Sequence, residues 1–188
     1  MAHLKKCDKK LGQIIDKFWL LQRPVEPDAF KSLAQSVVAQ QISVKAAATV
    51  SGRLNKISNF CPQKLHALSQ EEIKACGMSI TKAGYIKNIA HAAVSGQVNF
   101  CKLHDMPDEE IIKLLTTIKG VGVWTAEMLL IFSLCRPNVI SYGDLIIRRS
   151  IMELYGLAEL SKADFEKYAK RYAPYASVAS LYLWEMAH

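Results

Sequence analysis

Apolar residues recur along this chain at the three- and four-residue intervals of amphipathic helices. One such face begins at Phe30 and continues to Val38, and another begins at Ile80 and continues to Ala93. The alternating pattern of half-buried strands is nearly absent. We therefore predict an all-α protein, and usual helix lengths give roughly eight to eleven helices for a chain of this size.

Residue types that begin helices precede several of these faces. Ser43 is predicted to cap a helix whose apolar residues are Val44, Ala47, Ala48 and Leu54. Asp105 and Pro107 indicate another helix start, because acidic residues at 108–110 suit a first turn. Ser161 with Asp164 resembles a capping box, although Glu or Gln is usual at the second position.

Length and composition narrow the class of protein. The 188 residues are 51% hydrophobic and 22% charged, as in globular domains, which excludes a disordered chain or a coiled-coil rod. We expect one domain over residues 1–188, folded as two helical lobes around a cleft. The net charge of +7 is compatible with a polyanionic partner.

Cysteine and histidine usage indicates the compartment and the absence of a metal site. Five scattered cysteines show neither metal-ligand spacing nor a secreted disulfide framework, and they are interpreted as small core residues. The five histidines are not clustered as zinc ligands are. No signal peptide or membrane segment is visible. We expect an intracellular protein, in the cytoplasm or nucleoid of a prokaryote or in a eukaryotic nucleus.

The sharpest local pattern is the stretch from Ile118 to Ala126, IKGVGVWTA. A helix ends, Gly120 and Gly122 form a tight hairpin, and an apolar helix begins. The hairpin is predicted to leave the amide N–H groups of residues 121–124 unpaired at a helix N-terminus, where an anion such as a DNA phosphate can bind. An ordinary connection between two helices needs glycine as well, so the pattern alone leaves both interpretations open.

This stretch resembles the hairpin of the helix-hairpin-helix/Gly-Pro-Asp superfamily of base-excision DNA glycosylases, here at residues 118–124. That family has an essential Asp after its hairpin, and Asp144 in SYGDLIIRR occupies the place. Asp144 is also predicted to cap a helix from Leu145 to Tyr155, a role that by itself requires no catalysis. Capping would hold the carboxylate in place and keep it ionised.

Two further segments narrow the resemblance. SVVAQQISVKAA, residues 36–47, is similar to a GQQ-[IV]-S segment of the alkylated-base glycosylases, typified by bacterial 3-methyladenine DNA glycosylase II. The end of the chain, from Tyr175 to Trp184, is similar to the final helix of that subfamily. The resemblance extends from about residue 28 to residue 188 and implies a two-lobed, all-α glycosylase.

The resemblance implies a monofunctional glycosylase that hydrolyses the N-glycosidic bond of 3-methyladenine or 7-methylguanine, assisted by Asp144. Glycosylases that also cut the backbone use a Lys nucleophile at the position of Trp124, so AP lyase activity is not expected. Lys119 at the hairpin tip would face phosphate. The four-Cys pattern of iron–sulfur relatives is missing, and no cofactor is expected to be required.

The flipped base needs an aromatic wall, for which Trp124 and Trp184 are candidates by resemblance. A Trp at helical spacing is also commonly a core residue. Met128 and Leu145 replace aromatic residues of the bacterial relatives, and this leaves the substrate range open. Tyr142 is a further candidate for the pocket.

Contacts with DNA are implied for the hairpin and for the second segment. Gln41 stands where the family has a side chain that wedges into the gap left by the flipped base, although a polar residue ending a helix is an equal interpretation. The residues implied to contact DNA are Gly120, Val121, Gly122, Val123, Lys119, Thr125, Gln40, Gln41, Ser43 and Arg148. Lys45 and Lys82 are further candidates for phosphate contacts.

The family hairpin also holds a monovalent cation through backbone carbonyls. Here these would be the carbonyls of Thr116, Ile118 and Val121, binding a structural Na⁺ or K⁺. Arg148, one helical turn after Asp144, is predicted either to pair with that carboxylate or to contact phosphate.

The expected partner is double-stranded DNA containing damaged bases, and the expected state is a monomer without a membrane association. Two alternatives stay open. One is a glycosylase for another lesion, a deaminated purine or uracil. The other is a non-catalytic helix-hairpin-helix DNA-binding protein, which would require neither Asp144 nor the two tryptophans.

Overall fold

The computed structural model describes residues 1–187, and His188 lies outside the described residues. Residues 1–187 form helices and no strand, so the all-α prediction is confirmed. The twelve α-helices and one 3₁₀ helix (η1) are α1 (Ala2–Cys7), α2 (Lys9–Phe18), α3 (Ala29–Ala39), α4 (Val44–Ser58), α5 (Pro62–Ala67), α6 (Gln70–Lys74), α7 (Ile80–Val94), η1 (Phe100–Asp105), α8 (Asp108–Leu115), α9 (Val123–Phe132), α10 (Leu145–Tyr155), α11 (Lys162–Tyr172) and α12 (Ala176–Met186).

The number of helices exceeds the expected eight to eleven within the described residues. The helices α1, α5 and α6 have 6, 6 and 5 residues. Fewer than two turns cannot display a repeating apolar face, so periodicity does not reveal such helices. No helix among residues 1–187 has the length and apolar character needed to cross a bilayer.

The described chain divides into two compact units. The terminal unit combines residues 1–24 with residues 135–187, and the central unit comprises residues 25–134. The cleft predicted between two lobes stays a prediction.

The core of the terminal unit is built from the inner faces of α1, α2 and α10–α12. Its largest fully buried side chains include those of Tyr172 and Tyr182. Helix α10 has the predicted bounds, since the Asp144 carboxylate accepts a hydrogen bond from the N–H of Ile147 at its start. Gly156 ends it with a φ of +69°, a left-handed conformation that glycine adopts readily.

The core of the central unit is organised by two helices. Helix α9 is apolar on all sides, as expected for a buried helix, and it packs against α3 and α8. Helix α7 packs against α3, α5 and α6. The end of α3 and the start of α9 are therefore both held inside this unit.

The structure corrects two predictions about helices. Val44 is 88% exposed, and α4 instead buries a narrower stripe of Val50, Leu54 and Ser58. The predicted cap is confirmed, because the Ser43 hydroxyl accepts from the N–H of Ala46. Helix α8 begins after Pro107 with the acidic residues 108–110 in its first turn, as predicted, but Asp105 belongs to the end of η1 and does not start α8.

Two predictions based on residue type are also corrected. Ser161 accepts from the N–H of Asp164, but the shorter Asp side chain accepts from the Ser161 hydroxyl and not from its backbone, so the capping box is incomplete. Among the five cysteines only Cys76 is buried, and none forms a disulfide. Their interpretation as core residues was therefore wrong for the other four.

Candidate functional site

The hairpin between α8 and α9 is closed by a turn in which the N–H of Val121 donates to the carbonyl of Ile118 at 3.0 Å. Gly120 has a φ of +104°, which side-chain-bearing residues rarely adopt. Gly122 has an extended conformation with a φ of −94° and is the N-cap of α9. Only the first glycine is therefore required by the backbone of the turn.

Two side chains of helix α7 pack against or hydrogen-bond the hairpin. A Cβ atom on Gly120 would lie 2.1 Å from Cγ of Tyr85, so no larger residue fits there. The side-chain amide of Asn88 donates to the carbonyl of Lys119 at 3.0 Å. The Lys119 side chain itself is exposed at the hairpin tip.

The predicted set of unpaired amides needs one correction. The N–H of Val121 is used in the turn, so it is not available to an anion. The N–H groups of Gly122 and Val123 donate no hydrogen bond among residues 1–187, and both residues are exposed. Fewer amides at the start of α9 are therefore open to an anion than the sequence predicted.

Gln40 connects the end of α3 with the hairpin. Its side-chain N–H group donates to the hydroxyl of Thr125 at 3.1 Å and lies 3.5 Å from the carbonyl of Gly120. Thr125 is 2% exposed. Gln40 and Thr125, both predicted to contact DNA, are therefore bonded to each other inside the central unit, and Thr125 is closed to a macromolecular ligand.

The short loop between α3 and α4 continues from Gln40. Gln41 has a φ of +57° and an exposed side chain, and Ile42 is also exposed. Ser43 uses its hydroxyl to cap α4. The two adjacent glutamines, which the sequence left equivalent, are thus separated into a bonded Gln40 and an exposed Gln41.

Lys82 is the residue whose environment differs most from its prediction. Its ammonium group donates to the carbonyls of Val38 and Gln40 at 3.0 and 2.7 Å. Burial lowers the pKa of this ammonium group below its ordinary value. Two of its three N–H groups therefore bind the end of α3, whereas the sequence predicted a phosphate contact. Lys45, the other added candidate, is exposed.

Asp144 lies in the terminal unit at the N-terminus of α10. One carboxylate oxygen accepts from the N–H of Ile147 at 2.9 Å, and the residue is 6% exposed. Its N–H donates to the carbonyl of Ser141, which forms the turn that precedes the helix.

The residues around Asp144 have distinct neighbours in the terminal unit. The guanidinium of Arg148 lies over the ring of Tyr142 at 5.2 Å from its centroid. The same ring packs edge-on against Phe165 at 5.2 Å. Arg148 forms no ion pair among residues 1–187, so the first of its two predicted roles, pairing with Asp144, is not found, and the phosphate contact stays a prediction. Leu145 is 49% exposed.

The remaining candidates for the base pocket lie in different units. Trp124 is half-buried in the first turn of α9, and Met128, one turn further, is 5% exposed. Trp184 is half-buried on α12 and packs against the core of the terminal unit.

The backbone carbonyls named for a monovalent cation keep acceptor capacity. The carbonyls of Thr116 and Val121 accept no hydrogen bond among residues 1–187, and that of Ile118 accepts one. These oxygens are hard ligands of the kind that alkali cations prefer, so the residues fit such an ion. No group of three or more His, Cys, Asp and Glu side chains suitable for a metal occurs in the described part of the chain.

The support for the hairpin was missed by sequence reasoning. Lys82, Tyr85 and Asn88 follow one another at three-residue intervals beside the apolar face of α7. That spacing places polar residues along one edge of a helix, and it was the available signal. The spacing alone does not show which elements pack against that edge, and those elements decide what the polar residues bind.

Comparison with known proteins agrees with this class of helix-hairpin-helix fold. A model of the HhH-GPD superfamily of base excision DNA repair proteins matches residues 34–174. The chain is 33% identical to DNA-3-methyladenine glycosylase 1 of Schizosaccharomyces pombe over 192 residues, which covers 97% of this chain and 84% of the relative.

Two solved structures are similar over nearly the whole chain. The S. pombe 3-methyladenine DNA glycosylase in complex with abasic DNA has a TM-score of 0.90 and 32% identity, covering 99% of this chain and 95% of that one. The DNA-3-methyladenine glycosidase of Bacillus halodurans has a TM-score of 0.84 and 37% identity, covering 98% and 87%. This chain belongs to the HhH-GPD superfamily of base excision DNA repair proteins.

Proposed function

We propose that this protein is a monofunctional DNA glycosylase that removes alkylated purines, of the 3-methyladenine and 7-methylguanine type, from double-stranded DNA. The observation that carries the proposal is the buried carboxylate of Asp144, fixed at the start of α10. The resemblance of the surrounding sequence to the superfamily supports its identification with the essential Asp of that family. The similarity to proteins named DNA-3-methyladenine glycosylase supports the choice of substrate.

The chemistry of the leaving group explains why one carboxylate suffices. A normal purine leaves as a poor anion, whereas a purine alkylated at N3 or N7 is cationic and departs neutral. Protonation by a general acid is then unnecessary. The developing charge is on the sugar, as in other glycosidic cleavages with an oxocarbenium-like transition state.

Asp144 stabilises that sugar cation electrostatically and orients or deprotonates the attacking water. The hydrogen bond from Ile147 restricts the carboxylate without neutralising it. The guanidinium of Arg148 lies over the ring of Tyr142.

DNA is held through its phosphates by the hairpin. The N–H groups of the exposed residues Gly122 and Val123 at the start of α9 bind a phosphate, and Lys119 at the tip adds a charge. The carbonyls of Thr116, Ile118 and Val121 would hold a Na⁺ or K⁺, which would add positive charge to the hairpin. Gln41, exposed in the loop before α4, fills the space of the flipped base.

Selectivity for a cationic base comes from aromatic faces. Trp124 and Trp184 are each a candidate for such a face, since a cation over a Trp face gains roughly 0.5–2 kcal/mol that a neutral base lacks. The flip itself costs a few kcal/mol, least for a damaged base. Because no lysine occupies position 124, water is the final nucleophile and the DNA backbone is not cut.

Base release from methylated duplex DNA tests the proposal, with Asp144→Asn beside the wild type. Asn keeps the cap, so the variant should fold and bind DNA within a few-fold while releasing no base. Asp28→Asn is the matched control, because Asp28 caps α3 in the same way and should leave release unchanged.

The outcomes separate the alternatives. Release of 3-methyladenine or 7-methylguanine by Asp144→Asn at the wild-type rate would remove Asp144 from the mechanism. If the wild type releases neither base but releases uracil or hypoxanthine, the site acts on a deaminated lesion. Salt-sensitive binding without release of any base would leave a non-catalytic DNA-binding protein.

A further inference from the structure

One polar network inside the central unit joins three segments that are distant in sequence. Lys82 on α7 binds the carbonyls of Val38 and Gln40, which are 44 and 42 residues away. Gln40 in turn donates to Thr125 and approaches the Gly120 carbonyl, which are 85 and 80 residues away. The network therefore extends from α7 through the end of α3 to the hairpin.

The ammonium group of Lys82 has no competing charged partner among residues 1–187. Lys82 forms no ion pair among residues 1–187, and its charge is satisfied by the two carbonyls at the C-terminal end of α3, where cations are favoured. Lys82 is half-buried, and this burial lowers the pKa of its ammonium group below the ordinary value. Thr125 is buried and offers Gln40 a fixed acceptor.

We propose that Gln40 and Lys82 are positioning residues that hold the exposed loop 41–43 at a fixed distance from the hairpin 118–124. The inference rests on the proposed function, in which these two segments contact one DNA duplex. The hairpin binds the phosphates of any duplex, whereas Gln41 contacts the DNA interior only where a base is missing or flipped. The network therefore governs the preference for damaged over intact DNA more than the overall affinity.

The contacts of Gln40 and Lys82 favour a positioning role over direct contact with DNA. Thr125 is 2% exposed and cannot touch DNA, so any effect of its hydroxyl on DNA binding acts through Gln40 and the hairpin. Lys82 uses two of its N–H groups on carbonyls. If Lys82 contacted a phosphate instead, its replacement would reduce the number of counterions released when DNA binds.

A double-mutant cycle between Gln40→Met and Thr125→Val tests the first link. Both changes preserve size and remove one partner of the hydrogen bond. Dissociation constants are measured for an intact duplex and for the same duplex with an abasic-site analogue. We expect each variant to reduce the preference for the abasic duplex by about three- to tenfold, the range that one hydrogen bond supports. The double variant should lose no more than either single variant.

Lys82→Met and Lys82→Arg test the second link. Lys82→Met should reduce the abasic preference similarly, and Lys82→Arg should restore part of it because a charged donor remains. The slope of log affinity against log salt should stay that of the wild type. Lys87→Met is the matched control, since Lys87 on the same helix binds the carbonyls of His66 and Leu68, away from the hairpin.

Several outcomes would overturn the inference. An unchanged abasic preference in the folded variants would do so, as would additive losses in the double-mutant cycle. A salt slope reduced by about one in Lys82→Met would make Lys82 a phosphate ligand. A wild type that binds no duplex overturns the proposed function as well, whereas a wild type that excises bases with unaffected variants overturns only the positioning role.

Discussion

Gly120 of the hairpin lies directly against the ring of Tyr85, so that a Cβ atom at this position would come within 2.1 Å of the ring carbon Cγ. Gly122, two residues further, has open space around the same hypothetical atom. The two glycines of one short motif therefore have different reasons to be glycine. The first is required by packing and by its positive φ, and the second is not required by the fold.

We expect Gly120→Ala to destabilise the protein and Gly122→Ala to impair DNA binding instead. At position 120 a methyl group must displace Tyr85 and adopt an unfavourable φ, which together cost about 1–3 kcal/mol. At position 122 the free energy of unfolding should change by less than about 1 kcal/mol. The methyl group would stand in front of the exposed amides and keep a phosphate away.

Urea unfolding and duplex affinity at two salt concentrations measure these effects separately. Gly156→Ala serves as a reference for a positive φ without a clash, because nothing lies near its Cβ position. Duplex affinity unchanged in Gly122→Ala would remove that end of α9 from the phosphate contacts.

Features set by a few neighbouring residues were predictable from the sequence. Asp144 was predicted to cap a helix over residues 145–155, and it does, because capping involves only the next turn of backbone. The positive φ of Gly120 follows from the tight connection between two helices in the same way.

Features set by packing were not predictable. Lys82 looks like any surface lysine until α3 packs against α7 and presents its last carbonyls to the ammonium group. Val44 fits a helical apolar face, yet it is exposed because α4 turns another stripe inward. In both cases the deciding neighbour is distant in sequence, where periodicity carries no information.

Replacement of Trp184 by Ala should slow release of a cationic base more than it weakens binding to intact duplex. Loss of a cation–π contact of roughly 0.5–2 kcal/mol corresponds to about a two- to thirtyfold lower rate of 7-methylguanine release. Trp184→Phe keeps an aromatic face and should recover part of the rate. Trp19→Ala is the control, because Trp19 is 70% exposed in the same unit. Equal losses of release and of duplex binding would assign Trp184 to the core alone.

Borohydride should trap no covalent complex between the wild-type protein and an abasic-site duplex. A trapped complex requires an amine that forms a Schiff base with the sugar, and Lys119 is the lysine of the hairpin. Its carbonyl is held by Asn88 and its side chain is exposed at the tip. The complex is sought on a denaturing gel beside a bifunctional glycosylase as the positive control. A complex lost in Lys119→Ala would instead identify Lys119 as a nucleophile.

Tyr155→Phe should destabilise the terminal unit, because the Tyr155 hydroxyl donates to the buried carboxylate of Asp8 at 2.5 Å. That carboxylate also accepts from Arg171 at 2.9 Å and caps α2 through the N–H of Leu11. Leaving a buried charged acceptor with one donor fewer costs about 1–3 kcal/mol. Urea unfolding measures the loss, and Tyr175→Phe, on an exposed side chain, should show none. An equally stable Tyr155→Phe would mean that water replaces the hydroxyl.

The same carboxylate should make stability depend on pH in the acid range. Burial opposes ionisation of Asp8, but the hydrogen bonds from Tyr155, Leu11 and Arg171 outweigh it and hold the pKa below the ordinary 3.8. The unfolded chain then binds the proton first as the pH falls, so the stabilisation is complete above 3.8 and is lost as the pH falls through the lower folded-state pKa.

The free-energy difference between the wild type and Asp8→Asn should therefore be largest near neutral pH and shrink below about pH 4. Unfolding curves at a series of pH values measure this difference. Asp16→Asn is the control, because Asp16 pairs with Lys5 on the surface and contributes little. A difference in the free energy of unfolding that stays constant down to pH 2 would contradict this prediction. It would mean that the network does not hold the Asp8 carboxylate ionised and that its donors only fix the shape of the turn between α1 and α2.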